Sequence, residues 1–166
     1  MKKWAAILRG LTVAAIVVLP ITIALGLAMA LPSMLPATAQ ADAARGWQLS
    51  VAVLVGLLNP AILLWVLNQM RLLFDAYTKG AVLTADNAAL IQRIGQGFLA
   101  LACAPLFIQP VQTVLLTLSN PPGQRSLSIG VESDMVFFAL SGGLIIVIGW
   151  AMKEASSVAA ENRAFV

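Results

Sequence analysis

The chain has 166 residues, of which 60% are hydrophobic and only 10% are charged, with a formal net charge of +3. A soluble domain carries about a quarter charged residues, so this composition predicts a protein whose main solvent is the lipid bilayer. The Lys and Arg residues are scattered beside apolar runs, which argues against direct binding of nucleic acid. The sequence has no His, and its single Cys103 excludes an intrachain disulfide.

The first predicted membrane span covers about residues 11–31, which is long enough to cross about 30 Å of hydrocarbon. Gly26 and Ala30 lie four residues apart and could form a packing face for another helix. The same region also has features of a secretory signal that is cleaved after Ala39. Because the apolar run is longer than the usual 7–15 residues of such signals, we interpret it as a permanent helix.

The second predicted span covers about residues 48–68, and its helix is expected to continue to Tyr77. Pro60 lies near its middle and removes one backbone donor, so a carbonyl four residues earlier loses its partner. Asn59 is expected to bind either that carbonyl or a neighbouring helix.

A polar stretch at residues 71–97 follows, and we interpret it as a cytoplasmic loop that includes a short amphipathic segment. Gly80 is typical of a left-handed helix C-cap, and Thr84 is typical of the N-cap of the next helix. Gly95 and Gly97 are interpreted as a flexible start to the span after it.

The third predicted span covers about residues 98–118 and contains two prolines. Gln109 lies deep in this span and needs a hydrogen-bond partner, since an unpaired amide in hydrocarbon costs several kcal/mol. Together with Gln112 and Asn59 it could line an intramembrane polar pocket for a small ligand. Ordinary hydrogen bonds between helices are the favoured interpretation.

The fourth predicted span covers about residues 135–152, after a loop that is expected to contain a turn and a short extended piece. Ala139 and Gly143 lie four residues apart and are candidates for helix packing. Beyond this span, residues 153–166 are expected to continue as a polar helical tail.

The distribution of basic residues predicts the topology, because cytoplasmic segments carry an excess of Lys and Arg. With the N-terminus inside, eight basic residues lie inside and two lie outside. The inner set is Lys2, Lys3, Arg9, Arg71, Lys79, Arg93, Lys153 and Arg163, and the outer set is Arg45 and Arg125. The sequence therefore predicts one all-α domain, an integral four-helix membrane bundle with both termini in the cytoplasm.

Catalytic and transport chemistry find little support in the residues. No span has an acidic or basic residue at its centre, which argues against an ion-coupled carrier or pump. No nucleotide-binding or nucleophile motif is present, and no residues have metal-ligand spacing. We therefore expect no enzyme activity, no cofactor and no metal.

Two parts of the chain resemble a known family: residues 74–87 (FDAYTKGAVLTADN) with residues 90–95, and residues 143–155 with the ending at 161–166. The family is an uncharacterised group of small four-helix bacterial inner-membrane proteins, described only as a domain of unknown function. Leu83 stands where the family often has Phe. Members are often encoded beside a small Cro/CI-like helix-turn-helix regulator. The resemblance therefore implies a bacterial inner-membrane protein that is a partner of, or a sensor for, a cytoplasmic transcription factor.

The functional expectation is a non-enzymatic membrane protein whose cytoplasmic loop and tail bind a protein partner, such as a regulator that it sequesters or signals to. The candidate partner-binding residues are Asp75, Lys79, Asp86, Arg93, Lys153, Glu154, Glu161 and Arg163. A competing interpretation is that loop and tail only pack on each other and cap the bundle. Other functions left open are an accessory subunit of a larger membrane complex, a homo-oligomer, and a small-molecule exporter or channel.

Overall fold

The computed structural model describes residues 2–34, 43–80, 82–118, 123 and 126–164, and within these residues all regular structure is α-helical. The helices are α1 (Lys2–Met34), α2 (Ala43–Gly56), α3 (Leu58–Thr78), α4 (Ala85–Thr117) and α5 (Ser133–Ala164). Four stretches are long and apolar enough to cross a membrane: Lys3–Met29, Gly46–Thr78, Ala85–Thr117 and Ser133–Glu161. Within the described residues, the predicted all-α class is therefore confirmed, and so is the prediction of four stretches able to cross a membrane.

The second span consists of two helices, α2 and α3, that are interrupted at Leu57. Pro60 explains the interruption, because its ring crowds the carbonyl of Gly56 and it has no N–H to donate to that carbonyl. Leu57 still donates to the Val53 carbonyl at 3.0 Å and accepts from Ala61 at 3.0 Å. The predicted disturbance at Pro60 is thus confined to one residue.

The four spans lie side by side in an open row. In the described part of the chain, α1 packs only against α3 and α5 packs only against α4, while α3 and α4 pack against each other in the middle. The first half of the second span, α2, packs mainly against α4. A closed four-helix bundle would give every helix two neighbours. The bundle predicted from the sequence is therefore replaced by a row with two open edges.

Apolar side chains from α3 and α4 form the centre of this row. Two residues of α3 and three of α4 are buried together: Val66, Leu73, Ile91, Ile94 and Leu101. Phe138 of α5 packs against this cluster and meets Phe98 edge-to-face, with ring centroids 5.7 Å apart. The buried core therefore joins the two middle helices and one edge helix.

The contact between α4 and α5 repeats every seven residues on both helices. Three small, buried residues of α4 lie seven apart, Ala88, Gly95 and Ala102, and so do three buried residues of α5, Met135, Gly142 and Gly149. A repeat of seven keeps the same face toward a partner that crosses at about 20°. The two helices run antiparallel, because Gly95 lies against Gly142 while Gln92 lies against Gly149.

Glycine is required where these two helices touch. A Cβ at Gly142 would lie 2.8 Å from the Gly95 carbonyl oxygen and 2.9 Å from the Leu99 nitrogen, and a Cβ at Gly95 would lie 2.8 Å from the Gly142 carbonyl oxygen. The interpretation of Gly95 and Gly97 as a flexible helix start is wrong, because both are buried inside α4, and Gly97 packs against Val66.

The small residues predicted to pack at a spacing of four have a different environment. A Cβ at Gly26 or at Gly143 would meet no atom within 4 Å, so neither position packs against another helix of this chain. Ala139 is half-buried, and the side chain of Ala30 lies outside the described residues. A role for these faces in binding a different protein stays a prediction.

The start of α1, the turn between α3 and α4, and the last turns of α5 all lie at the same end of the row, which we call the charged end. Arg9 of α1 reaches Asp75 near the end of α3, and Gly149 of α5 lies against Gln92 near the start of α4.

Local sequence signals shape the turn between α3 and α4. Gly80 has a φ of 87°, as expected for a left-handed cap, and Thr84 Oγ1 accepts a hydrogen bond from the Asn87 N–H at 3.2 Å. The Asn87 amide donates to the Val82 carbonyl at 3.3 Å and is almost fully buried. Both predicted caps are therefore confirmed, and the turn is held by named hydrogen bonds.

Candidate functional site at the charged end

Asp75 joins α1 to α3 at the charged end. Its Oδ1 accepts from Arg9 Nη1 at 2.9 Å, and its Oδ2 lies 2.6 Å from Lys79 Nζ. Arg71 is a third cation within electrostatic range of this carboxylate. Asp75 and Lys79 were predicted to bind a partner, and the structure pairs them with each other, while Asp75 also binds Arg9, 66 residues earlier. We call Arg9, Arg71, Asp75 and Lys79 the α1–α3 ion cluster.

The remaining charged candidates lie on α4 and α5. Five side chains are exposed and form no ion pair with any residue that the structure describes: Asp86, Arg93, Lys153, Glu154 and Glu161. We call these five residues the α4–α5 charged surface. The side chain of Arg163, the eighth candidate, lies outside the described residues. Loop and tail therefore meet at the same end of one helix pair, without neutralising each other.

The last turns of α5 extend beyond α4. Gly149 lies opposite Gln92, and α4 begins seven residues before Gln92, at Ala85. In an antiparallel pair the matching position is seven residues after Gly149, which is Ser156. Residues 157–164 therefore project past the start of α4 by about 12 Å, at 1.5 Å per residue.

The three polar residues predicted to form an intramembrane pocket bind in different places. Gln112 donates to the Ala52 carbonyl of α2 at 3.0 Å, and Gly56 leaves room for it, because a Cβ there would lie 2.6 Å from Gln112 Nε2. Gln109 instead donates to Glu132 at 3.1 Å, and Asn59 Oδ1 is buried without a partner. Only Gln112 thus makes the predicted kind of hydrogen bond between helices, because Glu132 lies in the segment before α5.

The extended segment at residues 126–132 lies beside α4, and the sequence did not predict its contacts with this helix. Thr117 Oγ1 accepts from the Ser126 N–H at 3.3 Å, and Thr113 Oγ1 accepts from the Ser128 N–H at 3.4 Å. Two residues of extended chain advance about 6.6 Å, and four residues of α-helix advance about 6.0 Å. Every second residue of the segment can therefore contact every fourth residue of α4. The intervening Leu127 and Ile129 are exposed.

Two apolar grooves open on the sides of α3. The groove toward α4 has a volume of about 460 Å³ and includes Trp65 and Gly97, and the groove toward α1 has a volume of about 300 Å³ and includes Pro20 and Leu64. Ala61 lines both grooves. In the described part of the chain no three Cys, Asp or Glu residues come close enough together to hold a metal ion. The grooves thus offer apolar surface and little polar chemistry.

Comparisons with protein-family models, with curated proteins and with solved structures give no match to this chain. The resemblance to the four-helix inner-membrane family therefore stays a prediction.

Proposed function

We propose that this chain is a non-enzymatic protein of the bacterial inner membrane whose charged end, facing the cytoplasm, binds a soluble protein. The observation that carries the proposal is the α4–α5 charged surface, whose five exposed side chains have no ionic partner within the described chain. Exposed charges without a partner guide association through complementary charges on a second protein. The excess of basic residues on the segments at this end supports its cytoplasmic side.

The shape of α5 supports the same proposal. Its last two turns project about 12 Å past the start of α4 and so offer helical surface beyond the helix pair. Val158 on this projection is an exposed apolar side chain. A partner that packs along these turns and on Arg93 would stabilise them.

The mixture of charges favours a protein over nucleic acid as the direct partner. The surface combines two cations, Arg93 and Lys153, with the acidic Asp86, Glu154 and Glu161. A nucleic-acid surface needs clustered cations without carboxylates among them. The resemblance to the inner-membrane family implies that the partner is a small transcriptional regulator.

The test isolates tagged protein from membranes in mild detergent, identifies the bound soluble protein, and then measures its affinity with purified components. Arg93→Glu and Glu161→Lys should each weaken binding at least about ten-fold, and the binding should weaken as salt increases. Gly143→Leu is the control, since a Cβ at this position would meet no atom of the chain within 4 Å. Unchanged affinity in both charge variants would refute the proposal.

A second candidate function, an accessory subunit of a membrane complex, rests on the two open edges of the row. α1 and α5 each have a single helix neighbour in the described chain, and Gly26 and Gly143 face open space. Membrane helices commonly associate through such small residues. Co-purifying membrane subunits that are lost with Gly143→Leu but kept with Arg93→Glu would favour this function.

A further inference from the structure

We propose that the α1–α3 ion cluster is a binding site for the phosphate of an anionic membrane phospholipid. This inference is separate from the protein-docking function, because it uses the other pair of helices and a different class of ligand.

The charges of the cluster are unbalanced. Arg9, Arg71 and Lys79 supply three positive charges, and Asp75 supplies the single negative charge, which leaves a net charge of +2. Both oxygens of Asp75 are already occupied, one by Arg9 and the other by Lys79. An added anion would therefore meet unneutralised cations and no free carboxylate within the cluster.

Many hydrogen-bond donors of the cluster are free. An Arg side chain has five N–H donors and a Lys side chain has three, and Asp75 uses one nitrogen of Arg9 and that of Lys79. Arg71 is exposed and forms no hydrogen bond or ion pair with any residue that the structure describes. Arg is suited to phosphate oxygens, because its planar donors bind two of them at once.

Two exposed tryptophans indicate the depth of the cluster in the membrane. Gly97 of α4 lies against Val66 of α3, so moving five residues along each of these helices brings Arg71 level with Gln92. Gly149 of α5 lies against Gln92, so the adjacent Trp150 is at the same level. Tryptophans of membrane proteins concentrate at the level of the lipid headgroups.

The second tryptophan brackets the cluster from the other side. Arg9 lies opposite Asp75, and five residues along each antiparallel helix place Trp4 level with Gly80. Trp4 is 71% exposed, so the described chain covers little of it. The cations between residues 71 and 79 therefore lie in the layer where lipid phosphates are found, and anionic lipids are drawn to basic pockets between helices at this depth.

The experiment places the full chain in phosphatidylcholine vesicles and measures how strongly spin-labelled phosphatidylglycerol associates with it, relative to spin-labelled phosphatidylcholine with the same acyl chains. The wild-type protein should prefer phosphatidylglycerol. Arg71→Gln should reduce that preference about five-fold, which corresponds to about 1 kcal/mol for one cation near a membrane surface. Arg93→Gln, which removes one cation from α4 at the same end, should keep the preference.

Several outcomes would overturn the site. One is a wild-type protein without preference, and another is an equal loss in the Arg71 and Arg93 variants, which would indicate only general surface charge. A third is loss of the preference in inorganic phosphate at constant ionic strength, which would assign the site to free phosphate. If Arg71→Gln fails to fold by its helix content, Lys79→Gln decides. Because Arg93→Gln affects the proposed protein surface alone, failure of either proposal is visible without the other.

Discussion

The contact between α4 and α5 allows a sharp comparison of two adjacent glycines. Replacing Gly142 by Ala places a Cβ 2.8 Å from the Gly95 carbonyl oxygen and 2.9 Å from the Leu99 nitrogen. Both are backbone atoms, so the helices must separate rather than a side chain rotate. Such overpacking costs about 1–3 kcal/mol. Replacing Gly143 by Ala meets no atom within 4 Å and has no such cost.

Gly143→Ala serves as the reference for Gly142→Ala. Both variants gain the intrinsic preference for Ala over Gly in a helix, about 0.8–1.0 kcal/mol, so this term cancels when they are compared. The difference between the two free energies of unfolding therefore isolates the contact, and we expect Gly142→Ala to be the less stable by about 1–3 kcal/mol. Reversible unfolding in mixed micelles, followed by tryptophan fluorescence, measures this difference. Equal stabilities, or a larger loss at Gly143, would refute the packing of these helices every seven residues.

Two further predictions concern single hydrogen bonds. Thr84→Ala removes the acceptor for the Asn87 N–H and should lower the free energy of unfolding by about 1 kcal/mol, whereas Thr84→Ser should restore it. Gly56→Ala should displace the Gln112 amide from the Ala52 carbonyl, so once the helix preference for Ala over Gly is subtracted it should destabilise the chain about as much as Gln112→Leu, roughly 1 kcal/mol. The double variant should lose less than the sum of the two in the same unfolding assay, and full additivity would contradict the shared contact.

The features that the sequence predicts well depend on interactions between residues that are at most about four positions apart. The break near Pro60, the cap at Thr84 and the left-handed Gly80 each follow from the chemistry of one residue and the backbone beside it. Length and composition alone fix the number of spans, since an apolar stretch of about 20 residues is enough to cross a bilayer. These signals do not specify which helices lie next to each other.

The packing faces were harder to predict, because they depend on the angle at which helices cross. Small residues four apart, such as Ala139 and Gly143, suggested one face of α5, whereas the structure uses Gly142 and Gly149, which are seven apart. A repeat of four suits right-handed crossings, and a repeat of seven suits crossings at about 20° of the opposite hand. An Ala- and Gly-rich helix contains both spacings, so only the neighbouring helix decides between them.

The candidate site was predicted as one set of charged residues, and the structure divides it into two. Asp75 looked equivalent to Asp86 in the sequence, since both are acidic residues in the same polar stretch. Asp75 is bound by Arg9, 66 residues earlier, and local sequence carries no signal for a contact of that range. The order of the helices in the row makes the contact, because in the described part of the chain α1 packs against α3 and not against α4.

The two ends of the helix row treat their polar groups in opposite ways, and this contrast supports the charged end as the place of recognition. At the far end Thr113, Thr117 and Gln109 bind the segment at 126–132, so the hydrogen-bonding groups of helix and loop satisfy one another. At the charged end, the five residues of the α4–α5 charged surface are exposed and form no ion pair with any residue that the structure describes. Holding five unpaired charges together gains nothing for folding, since even paired surface charges contribute only about 0–1 kcal/mol. The proposed protein partner would supply the ionic interactions that these side chains lack within the described chain.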